Sequence, residues 1–228
     1  EKGYRQIDIN LGCPFPMIAG KHKGAGMLLY PAQVAEVLAP IAEYPEIQFS
    51  LKMRLGWENA SECMVLVELL NTLRLSRIAL HARTGKQQYK GHPDLEAFQG
   101  FYELCQHPLY YNGDIESLSD IRQILTRFPL LKGVFIGRGL LSSPLLAKEF
   151  KGNETFLPEQ RMSIYFAFHE ELFSAYSQVL QGETQLLVKM KTLWEYFLPE
   201  TDRKLLKRIK KSTRLQQYTE SVKAIFTS

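Results

Sequence analysis

Cysteine is scarce in this chain: Cys13, Cys63 and Cys105 are the only three among 228 residues. An odd set with no paired spacing argues against a disulfide framework and against a CxxC metal site. No metal centre is expected. Long apolar runs are also missing, and none approaches the ~20 residues needed to span a bilayer. Residues Glu1 to Ile7 are charged and polar, unlike a signal peptide. The expected compartment is therefore the cytoplasm, with no membrane partner. The Gly-Lys-Ser/Thr of a phosphate-binding P-loop is absent, although Gly20, Gly24 and Gly26 make one stretch glycine-rich. Excess charge is modest, at +4. That is compatible with nucleic acid but does not demand it.

What is present is an alternation. Short apolar runs at Arg5–Asn10, Gln48–Met53, Ser76–Leu80, Leu109–Tyr111 and Gly133–Ile136 read as strands buried on both faces. Between them, Pro31–Glu43, Ala60–Leu73, Asp94–Gln106 and Leu118–Arg127 repeat apolar residues at three and four, as in Val34, Val37, Leu38 and Ile41. Successive βα units predict a parallel sheet, either doubly wound or a barrel. The strand ends favour the barrel. Each of the five runs into small or polar residues: Asn10-Leu-Gly-Cys13, Lys52-Met-Arg54, His81-Ala-Arg83-Thr84, Asn112-Gly-Asp114 and Gly137-Arg138. A barrel gathers all such ends at one mouth, whereas a doubly wound sheet uses one switch point. A closed barrel needs eight strands, so three are expected N-terminal to this chain. From about Pro158 the pattern is helical throughout: Arg161–Leu180, Gln185–Phe197, Asp202–Arg214 and Gln217–Ile225. A small bundle is expected there, after a linker at Gly152-Asn153. The expected domains are 1–150 and 155–228.

Several of these residues suggest chemistry, each beside a plainer reading. Cys13 could be a buried structural thiol. Its place between Gly12 and Pro14 at a strand end puts it at the mouth instead. Free cysteine, with an ordinary pKa of about 8.5, is mostly protonated at neutral pH and can act as a general acid. The Gly20–Gly26 stretch reads as a mobile basic lid with glycine hinges. Lys52 and Arg54 alternate on one strand, and His81 and Arg83 on the next. A structural ion pair would explain the first pair, and a satisfied core residue would explain His81. Together they read as two cationic pairs facing an anionic ligand. Arg203, Lys204, Lys207, Arg208, Lys210, Lys211 and Arg214 form a run without acid. It reads as a solvated face or as a helix touching RNA backbone. Lys189 and Lys191 add cations beside Trp194 and Tyr196.

The ordered motifs IDINLGCP, SLKMRLGW, LHARTGKQQYKG, YYNGDI and FIGRGLLSSP resemble the successive signatures of bacterial tRNA-dihydrouridine synthases. The similarity runs from about Arg5 to Pro144 and continues weakly in VKMKTLWEYF. It implies an α/β fold: a (β/α)8 TIM barrel, of which strands four to eight are present here, then a small all-α helical domain that holds tRNA. It implies FMN at the mouth and NADPH as reductant. By position, Cys13 matches the catalytic acid. Lys52, His81, Asn112, Gly113, Asp114, Gly137 and Arg138 match segments that hold the flavin. Asn10, Arg83 and Thr84 match the substrate side, and Lys189, Lys191, Lys207, Arg208 and Lys211 are the implied tRNA contacts. A monomer is expected. Two further flavin segments of the family, a Pro-Met-x-Gly turn and a glutamine strand end, are absent from this chain. Phe15-Pro16-Met17 departs from the family's usual small or polar residues, and Ala82 stands where glycine is common.

The implied reaction reduces one uridine of tRNA, with Cys13 supplying the proton at C5. Two alternatives remain. A barrel acting on free pyrimidines, like dihydroorotate dehydrogenase, would share the flavin and the Asn-x-x-Cys-Pro start, but not the basic helical domain. An idle RNA-binding protein would have no need of Cys13, Lys52, His81 and Arg83 together.

Overall fold

The computed structural model describes residues 3–227. The chain divides into two compact units, Glu1–Ile115 with Ser119–Ile136, and Glu116–Leu118 with Gly137–Ser228. The first runs β1 (Gln6–Leu11), α1 (Pro16–Ala19), a 3-10 helix (Gly24–Leu29), α2 (Pro31–Leu38) with a 3-10 turn (Ala39–Ala42), β2 (Gln48–Gly56), α3 (Glu62–Thr72), β3 (Leu75–Thr84), α4 (Leu95–Leu104), β4 (Leu109–Asn112), α5 (Leu118–Arg127) and β5 (Gly133–Phe135). All strands are parallel, and their order in the sheet is their order in the chain. A doubly wound sheet reverses that order at its switch point; a barrel wall does not. The fold is α/β, with the strand succession of part of a TIM barrel.

Successive side chains of a strand point to opposite faces, and partners in register share a face. Leu51, Met53 and Leu55 of β2 therefore lie with Ile78, Leu80 and Ala82 of β3 and with Tyr111 of β4, and all are buried. α3 packs on β2 and α4 on β3, covering this apolar face. Phe98 of α4 meets the Tyr111 ring edge-on at 5.0 Å and Phe128 at 5.0 Å. Local signals fix the helix starts. Proline opens α2, and the Asp94 carboxylate caps α4 by accepting the Ala97 N–H at 2.9 Å. The opposite face is polar. It carries Asp8 and Asn10, then Ser50, Lys52 and Arg54, then His81 and Arg83, then Asn112.

The second unit is helical: α6 (Arg138–Ser142), α7 (Leu146–Gly152), α8 (Pro158–Val179), α9 (Glu183–Leu193), α10 (Arg203–Lys211) and α11 (Leu215–Phe226). The short α6 and α7 cluster with this unit, ahead of the boundary expected near residue 150. Gly152-Asn153, read as a linker, is the end of α7, with Asn153 left-handed at φ 48° as a C-cap. Tyr165, Met190, Trp194, Phe197, Ile209 and Tyr218 form the core. Inside it Tyr218 Oη accepts from Trp194 Nε1 at 3.0 Å and lies 2.7 Å from His169 Nε2. Burial lowers the His169 pKa. A neutral ring accepts the Tyr218 proton at Nε2 and donates from Nδ1 to Glu170, 3.0 Å away. No helix among the described residues is long and apolar enough to cross a membrane.

Candidate active site at the strand ends

Cys13 follows β1 directly, half-buried and unpaired to any other cysteine. Its neighbours are fixed by three contacts. The Asn10 Oδ1 accepts the Gly12 N–H at 2.9 Å, which leaves the amide NH2 as the donor Asn10 can offer a ligand. The Gly12 carbonyl accepts from Arg54 Nε at 3.1 Å. The Cys13 carbonyl accepts the Ala25 N–H at 3.0 Å. The glycines of the following loop are not hinges, contrary to the expectation of a mobile lid. Gly24, Ala25 and Gly26 are buried in the 3-10 helix. A Cβ on Gly24 would lie 2.9 Å from the Cys13 Cβ, and one on Gly26 would lie 2.2 Å from the Ala19 carbonyl oxygen. They permit close packing behind the cysteine.

Arg54 is 1% exposed and pairs with no carboxylate among the described residues. Besides Gly12 it donates Nη1 to the carbonyls of Thr84 and Gln88, both at 2.8 Å. Its guanidinium also lies 5.6 Å from the Tyr89 ring centroid. It is a clamp between the loops after β1 and β3, a role that sequence reasoning missed. The strand alternation that marked Lys52 also marked Arg54, but carbonyl acceptors leave no trace in sequence.

Lys52 shares the face and register of Asn10. Burial, then Arg54, lowers its pKa, and Asp8 opposes them. No ion pair among the described residues occupies its ammonium, so the ion-pair reading fails here. Arg83 is different. It grips Asp114 with both Nη atoms, at 2.7 and 2.5 Å, and donates to the Gly91 carbonyl at 2.6 Å. Its Nε is nevertheless buried without a partner. A buried donor left unmade is costly, and the bidentate grip on Asp114 offsets that cost.

His81 sits in register with Arg54 on one side and Asn112 on the other. Desolvation first, then Arg54, Lys52 and Arg83, press its pKa down to about 3. It is therefore neutral near pH 7, which corrects the reading of two cationic pairs. This has a consequence for stability. On unfolding, the ring regains an ordinary pKa of 6.5 and takes up a proton below it. The folded state should thus lose stability as pH falls from about 6.5 to about 5, before most carboxylates titrate. Melting curves of the parent and of His81→Asn should converge across that window. A variant as acid-sensitive as the parent would assign the loss to other groups, His169 first.

At the next strand end Asn112 Nδ2 donates to the Phe135 carbonyl at 2.9 Å, leaving its Oδ1 as acceptor. Gly113 has a structural reason, because a Cβ there would meet the Tyr111 hydroxyl at 2.1 Å. Thr84 Oγ1 accepts the Gln87 N–H at 3.3 Å and closes the turn after β3. The polar face of the strands thus presents donors and cations, Asn10 NH2 and Lys52 Nζ in register with each other, on the strands whose ends include the one that leads to Cys13. That set suits an electron-rich, oxygen-bearing ring system such as a flavin or a uracil. Gly137 and Arg138 belong to the helical unit, at the start of α6.

In that unit Asp202 caps α10 by accepting from Lys204 N and Leu205 N, at 2.8 and 3.2 Å. Ile209 is buried while Lys207, Arg208 and Lys211 are exposed. Lys204, Lys207, Arg208 and Lys211 line a cleft of about 440 Å³ shared with Gln217 and Glu220 of α11. Lys191 donates to the Ser212 carbonyl at 2.9 Å and holds the end of α10. Lys189 lies over the Tyr176 ring at 5.3 Å. Trp194, read beside them as an RNA-facing aromatic, is core at 2% exposure.

A family model described as dihydrouridine synthase matches residues 1–227. The tRNA-dihydrouridine synthase B of Vibrio vulnificus (strain CMCP6) is 28% identical over 163 residues, covering 70% of this chain and 50% of that protein. The probable tRNA-dihydrouridine synthase of Rhizobium leguminosarum bv. phaseoli is 32% identical over 139 residues, 60% of this chain and 44% of that protein. The tRNA-dihydrouridine synthase B of Vibrio cholerae serotype O1 (strain ATCC 39315 / El Tor Inaba N16961) is 29% identical over 167 residues, 72% and 52% respectively. The chain spans about half the length of the curated relatives it matches.

Proposed function

The chain belongs to the dihydrouridine synthase family, and from that premise we propose that the protein carrying it reduces a specific uridine of tRNA to 5,6-dihydrouridine, using FMN and NADPH. A Lys52 ammonium without an ion pair among the described residues, in register with Asn10 on the sheet face that leads to Cys13, carries this proposal. Lys52, the neutral His81, Asn112, Gly113 and Asp114 would hold the flavin; Gly137 and Arg138 are assigned to its phosphate by the family's motif order alone. FMN supplies the hydride when bound. Cys13 supplies the proton at C5 from its Sγ. The Asn10 amide donates to a uracil oxygen as negative charge grows on it, and Arg83, held by Asp114, places its positive charge behind the substrate side. Thr84 shapes the substrate side through its turn. The protein is proposed to act as a cytoplasmic monomer. A barrel for free pyrimidines has no use for the cation-lined cleft of α10. Transfer RNA from a strain lacking the gene should lose dihydrouridine at a defined position. An unchanged dihydrouridine map would reject the assignment.

The helical unit is proposed to hold the tRNA backbone through Lys207, Arg208 and Lys211 on α10, with exposed Lys189 as a further cation. Lys191 contributes by fixing the end of α10. Neutralising Lys207, Arg208 and Lys211 together should weaken tRNA binding. It should also flatten the salt dependence, by about 0.7–0.9 in slope for each phosphate that the protein no longer neutralises. Flavin reduction by NADPH should not change. Parental affinity across a salt series would make the run a solvated face.

A further inference from the structure

The segment that carries Cys13 has no acidic residue from Ile9 to Ala35, while Lys21, His22 and Lys23 are exposed on it. Just after the cysteine, Phe15 is 57% exposed, Met17 70% and Ile18 39%. A single apolar residue in water needs no explanation, but three within four positions, beside the free Cys13 and near cations, do. They do not hang on a loose loop. The Phe15 carbonyl accepts the N–H groups of Ile18 and Ala19, each at 2.9 Å, so α1 is a closed turn. Behind it, Gly24 packs against Cys13 and Gly26 against Ala19 so closely that neither tolerates a Cβ. The fold thus holds an aromatic ring and a thioether outward at a fixed place next to the proton donor.

A partner for this surface needs flat apolar faces on an anionic backbone, which describes unpaired nucleotides. Proteins that extrude a base commonly fill or brace the disturbed stack with an apolar wedge. We propose that Phe15 and Met17 are such a wedge. They stack against the bases flanking the target uridine and keep it turned toward Cys13, and Lys21 and Lys23 meet the adjoining phosphates. The inference rests on the reading of tRNA as substrate.

The test compares the whole protein with Phe15→Ser/Met17→Ser and with Phe15→Tyr, which keeps the ring. Three quantities are measured: kcat/KM on folded tRNA, the rate of flavin reduction by NADPH, and the oligomeric state in solution. The double variant should fall about ten- to a hundredfold in kcat/KM, the usual worth of one or two stacked bases. Its flavin reduction and oligomeric state should match the parent, and Phe15→Tyr should stay within about threefold of it. Parental kcat/KM in the double variant would overturn the wedge. So would a changed oligomeric state or a flavin that no longer binds, since the patch would then serve association between copies or packing within the protein. A parent that reduces no tRNA would instead remove the reading underneath.

Discussion

Replacing Cys13 with alanine should slow tRNA reduction by about 10²–10⁴, the usual worth of a positioned general acid, and leave flavin reduction by NADPH nearly intact. The split follows from the roles. In the proposed reaction hydride and proton reach different carbons of the uracil, and only the proton would come from this side chain. Placement adds to the effect. Asn10, Arg54 and Ala25 each fix the backbone at Gly12 or Cys13, so the residue that carries the sulfur is held in place. Ordering of that kind, already present before substrate arrives, disappears when the group is deleted, because a water that replaces it must be ordered anew. Single-turnover reduction of tRNA by pre-reduced enzyme isolates the step. Undiminished turnover there would remove Cys13 from the chemistry.

Arg54→Met should strongly destabilise the sheet unit. Hydrogen bonds from a charged group contribute about 1.5–3 kcal/mol each, and Arg54 makes three, to Gly12, Thr84 and Gln88. Relief of its own desolvation offsets part of that, leaving a loss of about 3 kcal/mol. The denaturant midpoint should fall with little change in slope. Arg54→Lys should recover only a fraction, because one ammonium cannot reach three carbonyls on two loops in the geometry of a planar fork. A midpoint equal to the parent's would mean that the loops hold each other without the clamp.

Much of this architecture was legible in the residues. The five strand cores and four intervening helices stand where apolar periodicity put them, and α5 matches its predicted bounds, Leu118–Arg127. β2, β3 and β4 run longer than expected, β3 continuing through His81, Ala82 and Arg83 to Thr84, while β5 ends one residue early at Phe135. The alternation of polar and apolar residues there belongs to the ladder, not to a loop. Other features depend on distance in space. The three acceptors of Arg54 are backbone atoms 30 to 42 residues away, which no side-chain pattern encodes. His81 read as a cation because sequence does not show how buried it is or how many cations face it. Gly24 and Gly26 read as hinges because freedom and close packing call for the same residue. Trp194 and Lys191 read as a surface pair, yet one is core and the other is bonded to Ser212. α6 and α7, of five and seven residues, are too short for periodicity to reveal.

The central claim is that this chain's thiol protonates a uridine held in tRNA, not a free pyrimidine. Incubating the whole protein with NADPH and tRNA transcribed without modifications, then mapping the product by mass, tests it most directly. A gain of two hydrogens at one uridine, dependent on Cys13, is expected, with no consumption of uracil, uridine or dihydroorotate under the same conditions. Turnover of a free pyrimidine with the tRNA left unchanged would contradict it.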